Sequence, residues 1–137
     1  MTSELFAKNQ LLILGAGGFI GFNLTKNAIA QGCTVCCVSK SFQWQPELLA
    51  KNHPEFTYIR TNTQNVSGFI DRIDQFTNVI YMAGSTNIAL AENQPGEDFL
   101  SHINSLSSCL LAINQAKSVI FLSSGGAVYG ESSKNAS

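Results

Sequence analysis

Hydrophobic positions in this chain fall into short unbroken runs, and stretches of helical period separate them. Leu11-Leu12-Ile13-Leu14, Val35-Cys36-Cys37-Val38 and Val79-Ile80-Tyr81-Met82 contain no charged residue and almost no polar one. Strands buried on both faces need such runs, whereas a half-exposed strand would alternate. The pattern predicts strands over Gln10 to Leu14, Thr34 to Val38, Phe56 to Arg60, Asn78 to Met82 and Ser118 to Leu122. A helix from Gly18 to Gln31, ended by Gly32, fills the first gap. A short helix from Pro46, which suits a first helical turn, to Lys51 fills the second. A third is expected near Val66 to Ile73, weakened by Gly68. After a loop punctuated by Pro95 and Gly96 comes the longest helix, Glu97 to Lys117. Within it Phe99, Leu100, Ile103, Leu106, Leu110, Leu111 and Ile113 recur at helical spacing, and its acidic start and basic end suit the helix dipole. Strands alternating with helical crossovers make an α/β fold, a doubly wound parallel sheet of about five strands in the order 3-2-1-4-5.

A chain of 137 residues forms one domain and buries roughly two-thirds of its unfolded surface. Charged residues make up 12% of it, against about 25% in ordinary soluble proteins. Asn, Gln, Ser and Thr supply the polarity instead. Eight basic and nine acidic side chains give a net charge of −1, which provides no field to hold a polyanion, so nucleic acid is not an expected partner. No apolar run approaches the roughly 20 residues that span a bilayer. Lys8 followed by residues 11–14 faintly resembles a signal peptide, but the run is short and meets glycines at once; a cytoplasmic location is expected. Cys33, Cys36 and Cys37 crowd one segment while Cys109 lies far away, which is no disulfide framework. Cys33-x-x-Cys36 has redox or zinc spacing. Zinc would need two further ligands, and His53 and His102 stand at unrelated spacings; redox chemistry would need a helix N-terminus where a strand is predicted. Buried structural cysteines and no metal are the expectation.

Chemistry concentrates at Leu14-Gly15-Ala16-Gly17-Gly18-Phe19-Ile20-Gly21. Here a strand ends, the chain turns tightly, and a helix begins with its unsatisfied N–H groups facing outward. Such a terminus favours a pyrophosphate through both its donors and its dipole. Gly15 would permit the turn, Gly18 the approach of backbone to phosphate, and Gly21 close packing of the helix on the sheet. Glycines can also serve only to turn the chain; their place after the first strand of a βαβ unit favours nucleotide binding. No Gly-Lys-Ser/Thr closes the turn, which excludes a P-loop.

The glycines form G-x-x-G-x-x-G around Phe19 and Ile20, and the ordinary dinucleotide fingerprint would need glycine where Ile20 stands. Three further segments follow in order: Val79-Ile80-Tyr81-Met82-Ala83-Gly84, Asn104 on the long helix, and Ser123-Ser124-Gly125-Gly126-Ala127-Val128-Tyr129-Gly130. Together they resemble the extended short-chain dehydrogenase/reductases, the nucleotide-sugar epimerase and dehydratase group. The resemblance implies an NAD(P)-binding Rossmann domain over residues 1–130; the polar composition of residues 131–137 is expected to leave them a disordered tail. It implies cofactor contacts from Gly15, Gly18, Phe19, Ile20 and Gly21, from Met82, Ala83 and Gly84 beneath the cofactor, and from Asn104 and Ser123.

The chain also departs from that family. The carboxylate that normally holds the adenosine ribose is replaced by Ser39, followed by Lys40 and Ser41. Losing it removes a hydrogen bond to a charged group, about 1.5–3 kcal/mol, and its repulsion of a 2′-phosphate. Ser39, Lys40 and Ser41 suit that phosphate, which tilts the choice toward NADP over NAD. Asn62 stands where an aspartate often meets adenine. The usual catalytic Ser or Thr position holds Gly125, so Ser124 is the candidate catalytic hydroxyl; both serines could instead contact the nicotinamide or cap the loop. The family's Tyr-x-x-x-Lys pair is missing: Tyr58, Tyr81 and Tyr129 have no lysine four residues on, and Lys134 is one residue too far. The chain therefore resembles an N-terminal cofactor-binding half, cut after the fifth strand and expected to be inactive alone. In the full-length enzyme, hydride exchange at a hydroxyl of a nucleotide sugar would give epimerisation, dehydration or oxidation. A cut sheet exposes an apolar edge, so a homo-dimer or larger association is expected. The competing readings are an inactive truncated remnant and a stand-alone nucleotide-sensing module. The latter would be expected to carry the ordinary fingerprint and an acid after the second strand, and the chain has neither.

Overall fold

The computed structural model describes residues 9–63, 65, 76–84, 92–112, 116 and 118–123. Strands β1 (Gln10–Leu14), β2 (Thr34–Ser39), β3 (Phe56–Arg60), β4 (Asn78–Tyr81) and β5 (Ser118–Phe121) form one sheet. Its order is β3-β2-β1-β4-β5 and every neighbouring pair is parallel, as the hydrophobic runs predict. Leu12 lies beside Cys36 on one side and Val79 on the other, which sets the central register. Helix α1 (Phe19–Ala30) follows β1, α2 (Pro46–Asn52) follows β2, and α3 (Pro95–Ala112) precedes β5.

Alternate residues of each strand serve opposite faces, the consequence of a two-residue strand period. Leu12, Leu14, Cys36, Val38, Val79 and Tyr81 join Phe76, just before β4, and Cys109 of α3 on one face. Ile13, Val35, Cys37 and Phe56 join Ala28 and Ile29 of α1 on the other. Both faces are covered at the central strands β1 and β2, which is why their interiors contain no polar alternation. Each buried Leu, Ile or Val contributes about 1.5–3 kcal/mol by leaving water.

Cys33, Cys36, Cys37 and Cys109 are buried in this core and, among the described residues, form no disulfide, in line with the structural role expected of them. Burial pushes the Cys37 thiol up to about 12, against a hydrogen bond with Thr25 that acts the other way. Burial likewise raises Cys109 to about 11.

Several boundaries differ from expectation by one residue, with the fourth and fifth strands ending at Tyr81 and Phe121, the first helix running Phe19–Ala30 and the second ending at Asn52. Pro95 and Gly96 belong to α3 and not to a loop; proline fits a first helical turn because that N–H has no intrahelical partner. Strand β2 runs one residue further, through Ser39. The expected helix near 66–73 and the tail at 131–137 lie outside the described residues, as does Lys117. Strand β5 forms the sheet edge beyond β4, and its residues Val119, Ile120 and Phe121 are exposed. The chain leaves β1 toward β2 and β3, then returns to place β4 on the other side of β1. That reversal opens a crevice at the carboxyl ends of the strands.

Candidate functional site

At the end of β1 the chain turns through Gly15, whose φ of +86° lies in the left-handed region that favours glycine. A Cβ there would also lie 2.5 Å from backbone atoms of Ala83. The Gly15 and Ala16 amides donate to the carbonyl of Val38, at 2.8 and 3.4 Å, which anchors the turn to β2. The next glycines are held by close approach. A Cβ on Gly17 would stand 1.8 Å from the Ser41 carbonyl oxygen, and one on Gly21 would stand 2.2 Å from that of Ala16. Gly21 thus lets the helix pack on the turn itself, one step nearer than the sheet proposed for it above.

Gly18 is the exception. A Cβ there would meet nothing within 4 Å, and its backbone is extended (φ −94°, ψ −170°). It is the N-cap of α1, with no capping side chain and no acid in the first turn. The first helical bond runs from Phe22 N–H to the Gly18 carbonyl at 3.0 Å, so the amides of Phe19, Ile20 and Gly21 precede the bonding ladder. The positive end of α1 is left open to a ligand.

It opens into a cavity of about 810 Å³. The turn contributes Gly15, Gly17, Gly18, Phe19, Ile20 and Gly21. The end of β2 contributes Ser39, the loops after β2 and β3 contribute Lys40, Ser41, Gln43, Asn62 and Thr63, and β4 with its extension contributes Tyr81, Met82, Ala83 and Gly84. Helix α3 adds Ser101, His102 and Ser105. Among the described residues no carboxylate lines this space, while Lys40 does. The electrostatic balance favours an anion.

Several lining groups are tied to one another. The Ser39 hydroxyl donates to the Ser41 carbonyl at 2.8 Å, which leaves Lys40 as the cationic member of that loop. Tyr81 donates to Ser105 at 3.0 Å, and Ser105 shares a hydrogen bond of 2.9 Å with Thr63. This chain joins β4, α3 and the loop after β3. Burial raises the Tyr81 phenol above its ordinary range, with the Ser105 hydrogen bond opposing. Nδ1 of His102 lies 2.9 Å from the carbonyl oxygen of Asp98 and so must donate to it. Its Nε2 faces Gly84, where a Cβ would come within 2.9 Å.

The sequence-derived candidates divide cleanly. Gly15, Gly18, Phe19, Ile20, Gly21, Ser39, Lys40, Ser41, Asn62, Met82, Ala83 and Gly84 converge on the cavity. Asn104 and Ser123 are exposed, and neither is among the residues lining it. Ser124 lies outside the described residues. Sequence reasoning missed Gly17, Gln43, Thr63, Tyr81, Ser101, His102 and Ser105. Ser101 and Ser105 stand one helical turn apart, a signal overshadowed by the apolar stripe of the same helix.

The family model for the NAD dependent epimerase/dehydratase family matches residues 11–137. By sequence, the chain has no match among curated proteins. The fold is shared with Pen from Bacillus thuringiensis, at 24% identity and a TM-score of 0.76 over 89% of this chain and 40% of that one. It is shared with the UDP-glucose 4-epimerase of Stenotrophomonas maltophila, solved with NAD and formylated UDP-arabinopyranose, at 18% identity and a TM-score of 0.78 over 94% and 40%. The UDP-glucose 4-epimerase of Bifidobacterium longum, in complex with NAD+ and UDP, aligns at 20% identity and a TM-score of 0.76 over 89% and 38%. The chain therefore spans about 40% of the length of these proteins.

Proposed function

The chain belongs to the NAD dependent epimerase/dehydratase family, and from this we propose that it forms the dinucleotide-binding part of an enzyme acting on nucleotide sugars. The observation that carries the reading is the uncapped start of α1, with Gly18 facing empty space in a cavity of about 810 Å³. That is the cradle a pyrophosphate needs: free donors, a positive dipole end and no side chain in the way. The amides of Phe19 and Ile20 would hold the phosphates, Asn62 the adenine end, and Met82, Ala83 and Gly84 the underside of the ligand. When bound, the dinucleotide supplies a reversible hydride acceptor for a sugar hydroxyl.

Lys40 supports a preference for NADP over NAD, since its charge lines the cavity beside Ser39 and Ser41 and no carboxylate opposes it. Asn104 and Ser123 stay proposed as cofactor contacts and Ser124 as the catalytic hydroxyl. Residues 1–137 hold no Tyr-x-x-x-Lys pair, so this chain binds the cofactor without turning over substrate. The UDP and UDP-sugar ligands of the two epimerases support a nucleotide sugar as the substrate class. A cytoplasmic placement stays part of this proposal; among the described residues no helix is long and apolar enough to cross a membrane. Exposed Phe99 and Leu100 on α3 and the exposed β5 edge support self-association.

Calorimetric titration with NAD+ and NADP+ tests the binding, with NADP+ expected to bind more tightly; absence of binding by both overturns the function. Incubation with NAD(P)+ and UDP-sugars is expected to give no product. Appreciable turnover would overturn the assignment of the chain as a cofactor platform.

A further inference from the structure

Two consecutive peptide groups of the glycine turn are held by the loop that follows β2. Trp44 donates its indole Nε1–H to the Ala16 carbonyl at 3.1 Å, and the Gln43 amide donates to the Gly17 carbonyl at 2.8 Å. In a trans peptide the carbonyl and the following N–H point in opposite directions. Capturing these two carbonyls therefore turns the Gly17 and Gly18 N–H groups to the other side. Both glycines line the cavity, and among the described residues neither N–H has a backbone acceptor. Successive N–H groups presented in this way make an anion-binding concavity.

The indole is held firmly in place. Its ring packs edge-on against Phe42 at 5.0 Å and in tilted contacts against Phe22 of α1 at 5.3 Å and Phe56 of β3 at 6.0 Å. The Ala16 carbonyl has little freedom on its other side, where Gly21 packs so closely that a Cβ would come within 2.2 Å of the oxygen. Trp44 does not itself line the cavity. Its reach to the ligand passes through the turn.

We infer that Trp44 is a positioning residue for the dinucleotide: its indole N–H holds the Ala16–Gly17 peptide in the orientation that presents the Gly17 amide to the pyrophosphate. The inference rests on the dinucleotide reading above. Without the indole donor the Ala16 carbonyl loses the partner that selects this orientation, and apparent affinity falls by the fraction of molecules still correctly arranged. A drop of that fraction to about one in ten weakens binding about tenfold.

The test compares NAD+ and NADP+ affinity, by calorimetry on the 137-residue chain, among wild type, Trp44→Phe and a protein carrying the benzothienyl analogue of tryptophan at position 44. The analogue keeps the ring shape and replaces the N–H by sulfur. Both changes are expected to raise Kd about tenfold, with the thermal midpoint of the analogue protein close to that of wild type. Leu49→Ala, which disturbs the same packing layer away from the turn, is expected to lower the midpoint and leave Kd within about twofold. Affinity within twofold of wild type in the analogue protein overturns the inference. So does an analogue protein that fails to fold, which would make Trp44 a core strut only. A wild-type chain that binds neither dinucleotide instead overturns the proposed function, and does so before any variant is compared.

Discussion

Substituting Gly18→Asp separates binding from folding more sharply than any other change in the turn. The folded chain has room for the side chain, since a Cβ at this position meets nothing within 4 Å and the backbone is already extended. Aspartate is also a better N-cap than glycine by a few tenths of a kcal/mol, and its charge adds about 0.3–1 kcal/mol at the positive end of α1. The thermal midpoint should therefore hold or rise slightly. The effect on a bound pyrophosphate is opposite. Two like charges about 5 Å apart repel by about 3 kcal/mol at an effective dielectric constant of about 20, and the carboxylate also occupies the donors that the phosphate would use. Dinucleotide affinity should fall at least a hundredfold, and part of the loss should be recovered at high salt. Gly18→Ala, which adds bulk without charge, should lose about tenfold. Gly17→Ala provides the contrast, because its Cβ would collide with the Ser41 carbonyl at 1.8 Å; it should lose stability together with binding. Calorimetry with NAD+ and NADP+, paired with thermal unfolding, reads both quantities. A stable Gly18→Asp protein that binds within threefold of wild type would refute the placement of the pyrophosphate.

Lys40→Ala should weaken NADP+ by about tenfold while leaving NAD+ within about twofold, since a contact to a charged group contributes about 1.5–3 kcal/mol; equal losses for both cofactors would remove Lys40 from selectivity. The buried thiols set an alkaline limit on stability. Cys37 is raised to about 12 and Cys109 to about 11, against about 8.5 in an unfolded chain. Their contribution is complete below about pH 8.5 and is lost as pH rises toward the folded values, because only the unfolded thiols then release protons. Urea denaturation should show a fall of about 1.4 kcal/mol per pH unit for each thiol above about pH 9, and a flat profile would contradict their burial. Sedimentation should show concentration-dependent association that Phe121→Lys on exposed β5 reduces; a monomer at high concentration would count against the exposed edge as a contact surface.

Much of the architecture was legible because parallel strands covered on both faces must be continuously apolar. Val35, Cys36, Cys37 and Val38 announce such a strand whatever packs against them, whereas the apolar run of Ser118 to Leu122 is legible as a strand although its residues are exposed on the sheet edge. The glycine turn was legible for a related reason: a left-handed residue at Gly15 and an uncapped helix start at Gly18 are local properties of the chain. Gly17 was overlooked because its constraint comes from Ser41, a residue on another loop.

The amino-acid sequence by itself determined the strand and helix identities, the parallel order that right-handed crossovers impose, and the anion-ready turn, since each follows from short-range sterics and from which positions must avoid water. Tertiary structure decided which side chains share the cavity. The rotation of α3 about its own axis, set by how Cys109 and Leu106 pack on the sheet, brings Ser101, His102 and Ser105 inward and leaves Asn104 outside. A helix face carries no mark of its neighbour until the packing exists, and the bond between Thr63 and Ser105, 42 residues apart, forms only when the sheet and helix have closed on each other.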